Sequence, residues 1–276
     1  MTAFVLPKIA HPDFALPRRK PVGPVTANLD HPWLRGCKAL FIDNEGPPIE
    51  QVSGTKMIQL SAPARITTRH GRGWTATSSA DGFYTAHTIP ANTGDYTFFC
   101  CFHYDIGGNF SYFCALDNGW GLAINNGTNK PYFRDGVNLV GADNSLVSGR
   151  QHTVVGTVVG STKYLYIDGV EASTDTKGND ITAQEFCLLM FNVTGSFSAN
   201  DGRALFNAGY IDRAWSPGEV KAYADRPFDF EEPASSISYF PSVAAVGGGR
   251  IMGSIAGQGG LAGMGGLAGR AGGLAG

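Results

Sequence analysis

Residues that could support catalysis are sparse in this chain, and their spacing does not favour it. Acid–base or nucleophilic chemistry by two carboxylates needs a pair held roughly 5 Å apart or a little more, which a strand can provide through alternating acidic residues. The alternating pattern Glu-x-Asp-x-Glu is absent from the sequence. Asp43 and Glu45 precede a predicted turn, and Glu231 and Glu232 lie beyond the predicted domain. We therefore predict that these four carboxylates are solvated and form no catalytic pair.

The histidines and cysteines show no spacing typical of a metal centre. The six histidines are at positions 11, 31, 70, 87, 103 and 152, and we predict that His103 and His152 are hydrogen-bonded residues at sheet edges, not catalytic bases. An odd number of cysteines scattered through apolar segments predicts buried thiols and no disulfide framework. They are Cys37, Cys100, Cys101, Cys114 and Cys187.

Gly-Lys-Ser loops, Gly-x-Ser-x-Gly turns and CxxC pairs do not occur in the sequence. We predict no enzymatic activity and no catalytic or cofactor-binding residue.

The sequence is compatible with two kinds of ligand, a calcium ion and a sugar, without assigning either. Loop carboxylates and carbonyls are the usual calcium ligands, and Asn200-Asp201-Gly202 or Asp117-Asn118-Gly119 could supply them. Both stretches also fit ordinary turns, so no metal ligand is assigned. Sugar rings could stack on Trp74, Trp120 or Tyr132 if these aromatic side chains were exposed, and the alternative is that all three belong to a hydrophobic core.

The composition is typical of a protein with a sizeable core and a sparsely charged surface. Of the 276 residues, 43% are hydrophobic and 16% are charged, whereas about 25% are charged in typical soluble domains. The net charge of −2 gives no electrostatic footprint for nucleic acid. The basic cluster Arg18-Arg19-Lys20 is predicted to be solvated. Prolines at positions 7, 12 and 17 interrupt the apolar N-terminus, which predicts no signal peptide, no membrane partner and synthesis in a cytoplasm.

The elements that must position any site are organised around residues 152–172. Two runs rich in β-branched and aromatic residues, Thr153–Val159 and Lys163–Ile167, are predicted to be paired strands, and a third strand starts at Val170. Because side chains alternate along a strand, one face of the second strand carries Tyr164 and Tyr166 and the other carries Leu165 and Ile167. Both faces are therefore covered, as in the inner part of a sandwich.

Further alternating or apolar runs predict an antiparallel arrangement with regular turns between strands. The predicted strands are Lys38–Ile42, Lys56–Leu60, Ala64–Thr68, Gly82–His87, Asp95–Tyr104, Phe110–Leu116, Trp120–Asn125, Glu185–Phe191 and Ala204–Arg213. A capping box in Ser216-Pro217-Gly218-Glu219 predicts one short helix that ends before Pro227.

Several motifs resemble the laminin-G-like, concanavalin-A-like jelly rolls. The hairpin sequence YLYIDGV at 164–170 resembles the family's "lYvDG" hairpin, and FNAGYIDRAWS at 206–216 and PGEVKAYADRP at 217–227 resemble its closing motifs. Together they span roughly Asp30 to Phe228. The resemblance implies an all-β fold, an antiparallel β-sandwich of the jelly-roll type with one short C-terminal helix and extended N- and C-terminal tails. The entry into the first strand, with DNEG at 43–46, resembles laminin-G-like proteins encoded by tailed bacteriophages.

The predicted organisation has three parts. Residues 1–28 form a Pro-rich arm, residues 29–230 form the jelly roll, and residues 231–276 form a linker and a Gly-rich tail that repeats Gly-Gly-Leu-Ala-Gly.

We expect a non-enzymatic structural protein of a tailed-phage virion, located on the virion as a capsid decoration, head fibre or tail appendage. Its expected partners are copies of itself and other virion proteins. The alternative is a lectin-like module that binds a host surface glycan.

Overall fold

The structure is a computed structural model that describes residues 20–21, 24–44, 46–78, 80–105, 111–117, 119–124, 130–136, 138–141, 146–190, 193 and 203–233. These residues form an antiparallel β-sandwich of the jelly-roll type with one α-helix among them. The strands are β1 Val25–Ala27, β2 Cys37–Ile42, β3 Ile49–Glu50, β4 Thr55–Lys56, β5 Ile58–Leu60, β6 Ala64–Thr68, β7 Gly71–Thr75, β8 Gly82–Ile89, β9 Tyr96–Tyr104, β10 Ser111–Leu116, β11 Trp120–Ile124, β12 Pro131–Asp135, β13 Asn138–Gly141, β14 Arg150–Val159, β15 Thr162–Ile167, β16 Val170–Thr176, β17 Gln184–Leu188, β18 Ala204–Ile211 and β19 Glu231–Pro233. The helix α1 is Pro217–Asp225, and a 3-10 turn covers Pro32–Leu34.

Two sheets pack face to face. The smaller sheet has the strand order β13-β12-β11-β10-β17-β8-β5, and the larger has the order β16-β15-β14-β9-β18-β2-β3-β4, with β7 joining β18 and β6 joining β7. Phe98, Phe102 and Leu165 from the larger sheet and Phe113 and Phe133 from the smaller sheet are buried between them. This interior is the main hydrophobic core.

The outer face of the larger sheet is also covered. Helix α1 buries Val220 and Tyr223, and the ring of Trp215 stacks on Phe99 with 4.9 Å between centroids. The strand pair β1–β19 belongs to the same outer layer, where Val25 and Phe230 are buried with the helix residues. The predicted capping box is confirmed, because the Ser216 hydroxyl accepts from the Glu219 backbone and the Glu219 carboxylate accepts from the Ser216 backbone.

The central hairpin has the predicted alternation. Strand β15 pairs with β14 on one side and β16 on the other. Leu165 is in the inter-sheet core with Ile167 packed against it, whereas Tyr164 and Tyr166 belong to the outer cluster under α1. Burial on both faces is confirmed.

Cys100, Cys101, Cys114 and Cys187 are buried, as predicted, and Cys37 is half-buried.

The predicted single strand Lys56–Leu60 is wrong. Met57 is buried and interrupts it, because the chain crosses there from the larger sheet, where β4 pairs with β3, to the smaller sheet, where β5 pairs with β8. The predicted boundaries of the arm and the linker also differ from the structure. Residues 25–27 and 231–233 pair with each other as strands β1 and β19, so both segments belong to the folded domain. The Gly-rich tail and residues 1–19 lie outside the described residues.

No helix among the described residues is long and apolar enough to cross a membrane.

Candidate functional site

A groove of about 680 Å³ lies where the chain passes from the larger sheet to the smaller one. Its walls come from the segment before β3, from β4 and β5, and from the hairpin β6–β7. The described lining residues are Gly46, Pro47, Pro48, Lys56, Met57, Ile58, Gln59, Arg65 and Trp74. Ligand pockets in proteins are typically about 300–1,000 Å³, so the groove has the volume for a small oligomeric ligand.

The groove contains a fixed stack of Arg65 and Trp74. The two residues are direct cross-strand partners in the β6–β7 hairpin, and the guanidinium carbon of Arg65 lies 4.4 Å from the centroid of the Trp74 ring. The Trp74 ring in turn packs edge-to-face on Phe83, with centroids 4.9 Å apart. The register of one hairpin and the core behind it therefore hold both side chains in place.

A buried carboxylate holds the other side of Arg65. The Nη2 atom of Arg65 is 3.0 Å from Oδ1 of Asp43 and donates to the carbonyl of Gly46. The second oxygen of Asp43 is 2.5 Å from Nζ of Lys20, and Lys20 also donates to the carbonyl of Arg72 at 2.9 Å. Two cations thus share the single carboxylate of Asp43.

The prediction that Asp43 and Lys20 are solvated is wrong. Both residues are buried, with 0% and 4% of their surface exposed. The reason is that each finds an opposite charge on a distant segment, which offsets much of the cost of removing it from water. Glu45, the other acidic residue of that predicted turn, lies outside the described residues.

The prediction of solvation is also wrong for Glu231. Its side chain is buried, and one carboxylate oxygen accepts from the Asn207 amide at 3.0 Å. Burial raises its pKa to about 8, although Lys20 and the hydrogen bond from Asn207 act in the opposite direction. Glu231 therefore keeps its proton at neutral pH. Glu232 next to it is half-buried and accepts from the Asn28 amide at 2.9 Å.

Replacing Glu231 with Gln is expected to remove a pH dependence of stability. Between the ordinary glutamate pKa of 4.5 and about 8, the folded state holds a proton that the unfolded chain has released, so stability falls as pH rises. The slope approaches about 1.4 kcal/mol per pH unit where only the folded state is protonated. Chemical unfolding at pH 5, 7 and 9 should show that Glu231→Gln gains stability over the wild type as pH rises. Parallel pH profiles of Glu231→Gln and wild type would contradict the burial of an acid at position 231.

The Trp74 indole has a buried polar atom. Its Nε1–H has no hydrogen-bond partner among the described residues. An unsatisfied buried donor costs roughly 1–3 kcal/mol, which a hydroxyl or carbonyl oxygen of a ligand bound in the groove would recover.

The three aromatic residues considered for sugar stacking have different environments in the structure. Trp120 is 7% exposed and belongs to the inter-sheet core, where its indole donates to the carbonyl of Asn179 at 3.3 Å. Tyr132 is half-buried on β12 of the smaller sheet, and Trp74 alone of the three lines the groove. For Trp120, the alternative of a core residue is confirmed.

The two histidines considered as bases are both buried. His152 lies with Nδ1 2.8 Å from an oxygen of Asp168 and with Nε2 within 3.1 Å of the Val147 carbonyl, so the predicted hydrogen bonding is confirmed for this ring. The predicted position at a sheet edge is wrong for both histidines, because β9 and β14 are inner strands of the larger sheet, and Nδ1 of His103 has no hydrogen-bond partner among the described residues. His103 is 7% exposed, and its neighbour His70 has its ring centroid 5.4 Å away. Burial lowers the pKa of His103, and the proximity of His70 adds to the effect.

The calcium hypothesis stays a prediction. Within the described ranges, no group of three or more His, Cys, Asp and Glu residues is arranged to hold a metal ion. Asn118 and residues 200–202 lie outside the described part of the chain. The Asp117 carboxylate accepts from the Val193 amide at 3.0 Å.

Sequence reasoning missed most of this groove. Lys56, Gln59 and Arg65 carry no motif, and strand β7, which holds Trp74, was not predicted because the glycines in GRGWT hide its alternation. The one signal present was Trp74 itself, as a large aromatic residue outside the predicted strands.

The described residues form a β-sandwich of the jelly-roll type with a groove where the chain passes from one sheet to the other. No protein-family model matches the sequence, and no curated protein shows significant similarity to it.

Solved structures share the fold. The chain is similar to Trypanosoma rangeli sialidase, with 11% identity and a TM-score of 0.52 over 69% of this chain and 32% of that one. It is similar to domain 4 of AbnA, an extracellular GH43 arabinanase of Geobacillus stearothermophilus in complex with arabinotriose, with 12% identity and a TM-score of 0.50 over 68% of this chain and 98% of that one. It is also similar to the receptor-binding domain of the C/D mosaic botulinum neurotoxin, with 11% identity and a TM-score of 0.51 over 69% of this chain and 51% of that one.

At these identities the likeness establishes the β-sandwich fold alone. The match spans about a third of the sialidase chain and half of the toxin domain, so the activities of those whole proteins do not transfer. None of these three structures links the chain to a phage or a virion.

Proposed function

We propose that this chain is a non-catalytic carbohydrate-binding domain that holds its ligand in the groove beside Trp74. The observation that carries the proposal is a groove of about 680 Å³ whose wall includes Trp74, the indole N–H of which is buried and finds no partner among the residues that the structure describes. Fold alone does not determine a ligand, so the argument depends on the chemistry of this groove.

The lining suits the two kinds of surface that a sugar presents. The exposed apolar side chains of Pro47 and Ile58 offer contacts to the C–H faces of a ring. Lys56 and Gln59 are exposed, and their amine and amide can bond sugar hydroxyls. The amide of Gln59 already donates to the Ser61 carbonyl at 2.9 Å, which holds it in position and leaves its carbonyl as an acceptor.

The lining also supports binding without catalysis. None of the described lining residues is an aspartate, glutamate, histidine, serine or cysteine. The nearby carboxylate of Asp43 is paired to two cations and lies behind Arg65. An acid–base pair of the kind used for glycoside hydrolysis is therefore not assembled among these residues.

The comparisons support the same proposal by analogy of fold. Domain 4 of the arabinanase was solved with arabinotriose bound, and the toxin domain binds a receptor. Both show that a sandwich of this type can serve as a binding unit.

Replacing Trp74 is expected to weaken binding strongly. After a screen of the full-length protein against immobilised oligosaccharides, calorimetry with the best ligand should show that Trp74→Ala weakens binding by about 2 kcal/mol or more, roughly 30-fold in Kd. Trp74→Phe keeps a ring but removes the N–H, so it should weaken binding less.

The matched control is Tyr132→Ala, which truncates a half-buried aromatic residue away from the groove. Circular dichroism and thermal melts establish that each variant is folded. Wild-type affinity in a folded Trp74→Ala variant, or absence of any saccharide ligand in the screen, would contradict the proposal.

We further propose that the domain is displayed on a tailed-phage virion, with the tail at 247–276 as its anchor to neighbouring subunits. The support is in the sequence: the phage-like entry at 43–46, the low content of charge and the repeated Gly-Gly-Leu-Ala-Gly. Removing residues 247–276 should then leave a folded, saccharide-binding domain that no longer sediments with particles. Normal incorporation of the truncated protein into particles would contradict the anchoring role.

A further inference from the structure

We infer that Lys20 is a positioning residue of the groove: it ties the segment that precedes the sandwich to the hairpin that carries Trp74. The inference rests on the proposed function, because it names a residue that the same site needs in order to bind its ligand. It follows from the contacts of one buried amine and from the limited strand pairing of the hairpin β6–β7.

The hairpin β6–β7 has little backbone support from the rest of the larger sheet. Strand β6 pairs with β7 and with no other described strand. Strand β7 meets β18 at the pair Trp74–Leu205, whereas β18 and β9 pair along most of their length. A segment with few ladder hydrogen bonds opens locally at a low free energy unless other contacts hold it. The position of Trp74 in the groove therefore depends on side-chain contacts of the hairpin.

Lys20 supplies such a contact from outside the hairpin. Its amine donates to the carbonyl of Arg72 on β7 at 2.9 Å, close to Trp74 in sequence. The same amine lies 2.5 Å from Oδ2 of Asp43, and the other oxygen of Asp43 is 3.0 Å from Nη2 of Arg65 on β6. One buried amine is thus joined directly to β7 and, through a carboxylate, to β6.

The aliphatic stem of Lys20 also packs on the hairpin. Gly71, the first residue of β7, has a φ of +129°, which favours glycine, and a Cβ atom placed there would lie 2.9 Å from Cβ of Lys20. Because only 4% of Lys20 is exposed, its charge is stabilised mainly by the carboxylate of Asp43. A neutral side chain of similar length would therefore keep the packing and lose the polar tie.

The test uses Lys20→Met in the full-length protein and follows backbone hydrogen exchange by mass spectrometry. Amides of residues 64–75, which form the hairpin, should exchange about tenfold faster or more than in the wild type, because the hairpin opens more often. Those of β14 and β15 should change much less. Lys20→Arg keeps a cation able to reach both partners and should restore most of the protection.

Binding is measured by calorimetry with the oligosaccharide that binds the wild type best in the screen described above. Lys20→Met should weaken this binding about tenfold, because part of the binding free energy is then spent on ordering the hairpin. If Lys20 acts through the hairpin, Lys20→Met should have little further effect on affinity in a Trp74→Ala background.

The matched control is Lys177→Met. Lys177 is also enclosed, with 11% of its side chain exposed, and it pairs with Asp180 and donates to the carbonyl of Thr93 at 2.8 Å. None of these three residues is part of the described lining of the groove. Lys177→Met should therefore change neither the exchange of the hairpin nor the affinity.

If Lys20→Met does not fold, Lys20→Gln takes its place, because the amide keeps N–H donors and removes the charge. Equal acceleration of exchange in the hairpin and in β14, with wild-type affinity in the folded protein, would reduce Lys20 to a structural role and overturn the inference. Unchanged exchange of residues 64–75 would overturn it as well. Both results leave the proposed function standing. Absence of any saccharide ligand for the wild type would instead overturn the proposed function, and the exchange rates would then decide by themselves whether Lys20 holds the hairpin.

Discussion

Replacing Asp135 with Ala is expected to destabilise the fold by about 3–5 kcal/mol, the usual result of removing one partner from a buried ion pair. Asp135 projects inward from β12 and Lys163 inward from β15, so the pair joins the two sheets across the core. The Lys163 amine lies 2.6 Å from the Asp135 carboxylate, and both side chains are 0% exposed. The backbone of Gly178 also donates to Asp135. Without the carboxylate, the buried charge of Lys163 would keep only the more distant carboxylate of Asp175, which lies 3.8 Å away and is half-exposed.

The measurement is the free energy of unfolding from urea titration, and the chain contains a matched control. Lys221 and Asp225 form an ion pair on helix α1 with 2.5 Å between charged atoms, but their side chains are 55% and 49% exposed. Asp225→Ala should therefore cost only about 0.5 kcal/mol or less. The double variant Lys163→Met with Asp135→Leu removes both charges and should recover much of the loss. Similar small costs for Asp135→Ala and Asp225→Ala would contradict the buried bridge.

Truncating Leu165 to Ala is expected to cost about 2–5 kcal/mol, from lost burial and the cavity left behind. Leu165 is 0% exposed between the two sheets, where its neighbours cannot fully close the space. Ile167, two residues further along the same strand face, is half-buried against the same core, so Ile167→Ala should cost less than Leu165→Ala.

Val170 supplies the comparison within the same hairpin. It begins β16, pairs with Ile167 and is 61% exposed, so Val170→Ala should change the free energy of unfolding by no more than about 0.5 kcal/mol. A cost for Leu165→Ala no larger than that for Val170→Ala would mean that this hairpin does not form the interior of the sandwich.

The sequence by itself determined the features that depend on near neighbours. Alternation in residues 163–167 predicted which side chains face the core, because consecutive residues of a strand point to opposite faces. The pattern at Ser216 and Glu219 predicted the start of the helix, because a capping box is completed within one turn. Strand β6 was predicted with its observed bounds, Ala64–Thr68, from a run of β-branched and polar residues.

Only the tertiary structure decided which distant segments meet. Strand β7 has too many glycines to show alternation, and its place in the sheet depends on the pairing of Trp74 with Leu205. The groove exists because that hairpin lies beside the crossing at Met57. Lys20, Asp43 and Asp135 are buried for the same kind of reason: each charge is removed from water only where an opposite charge from another part of the chain reaches it. Glu231 is buried without a direct ion pair among the described residues and remains neutral instead. A charged residue in sequence carries no sign of its eventual partner, so burial of these groups is a property of the assembled fold.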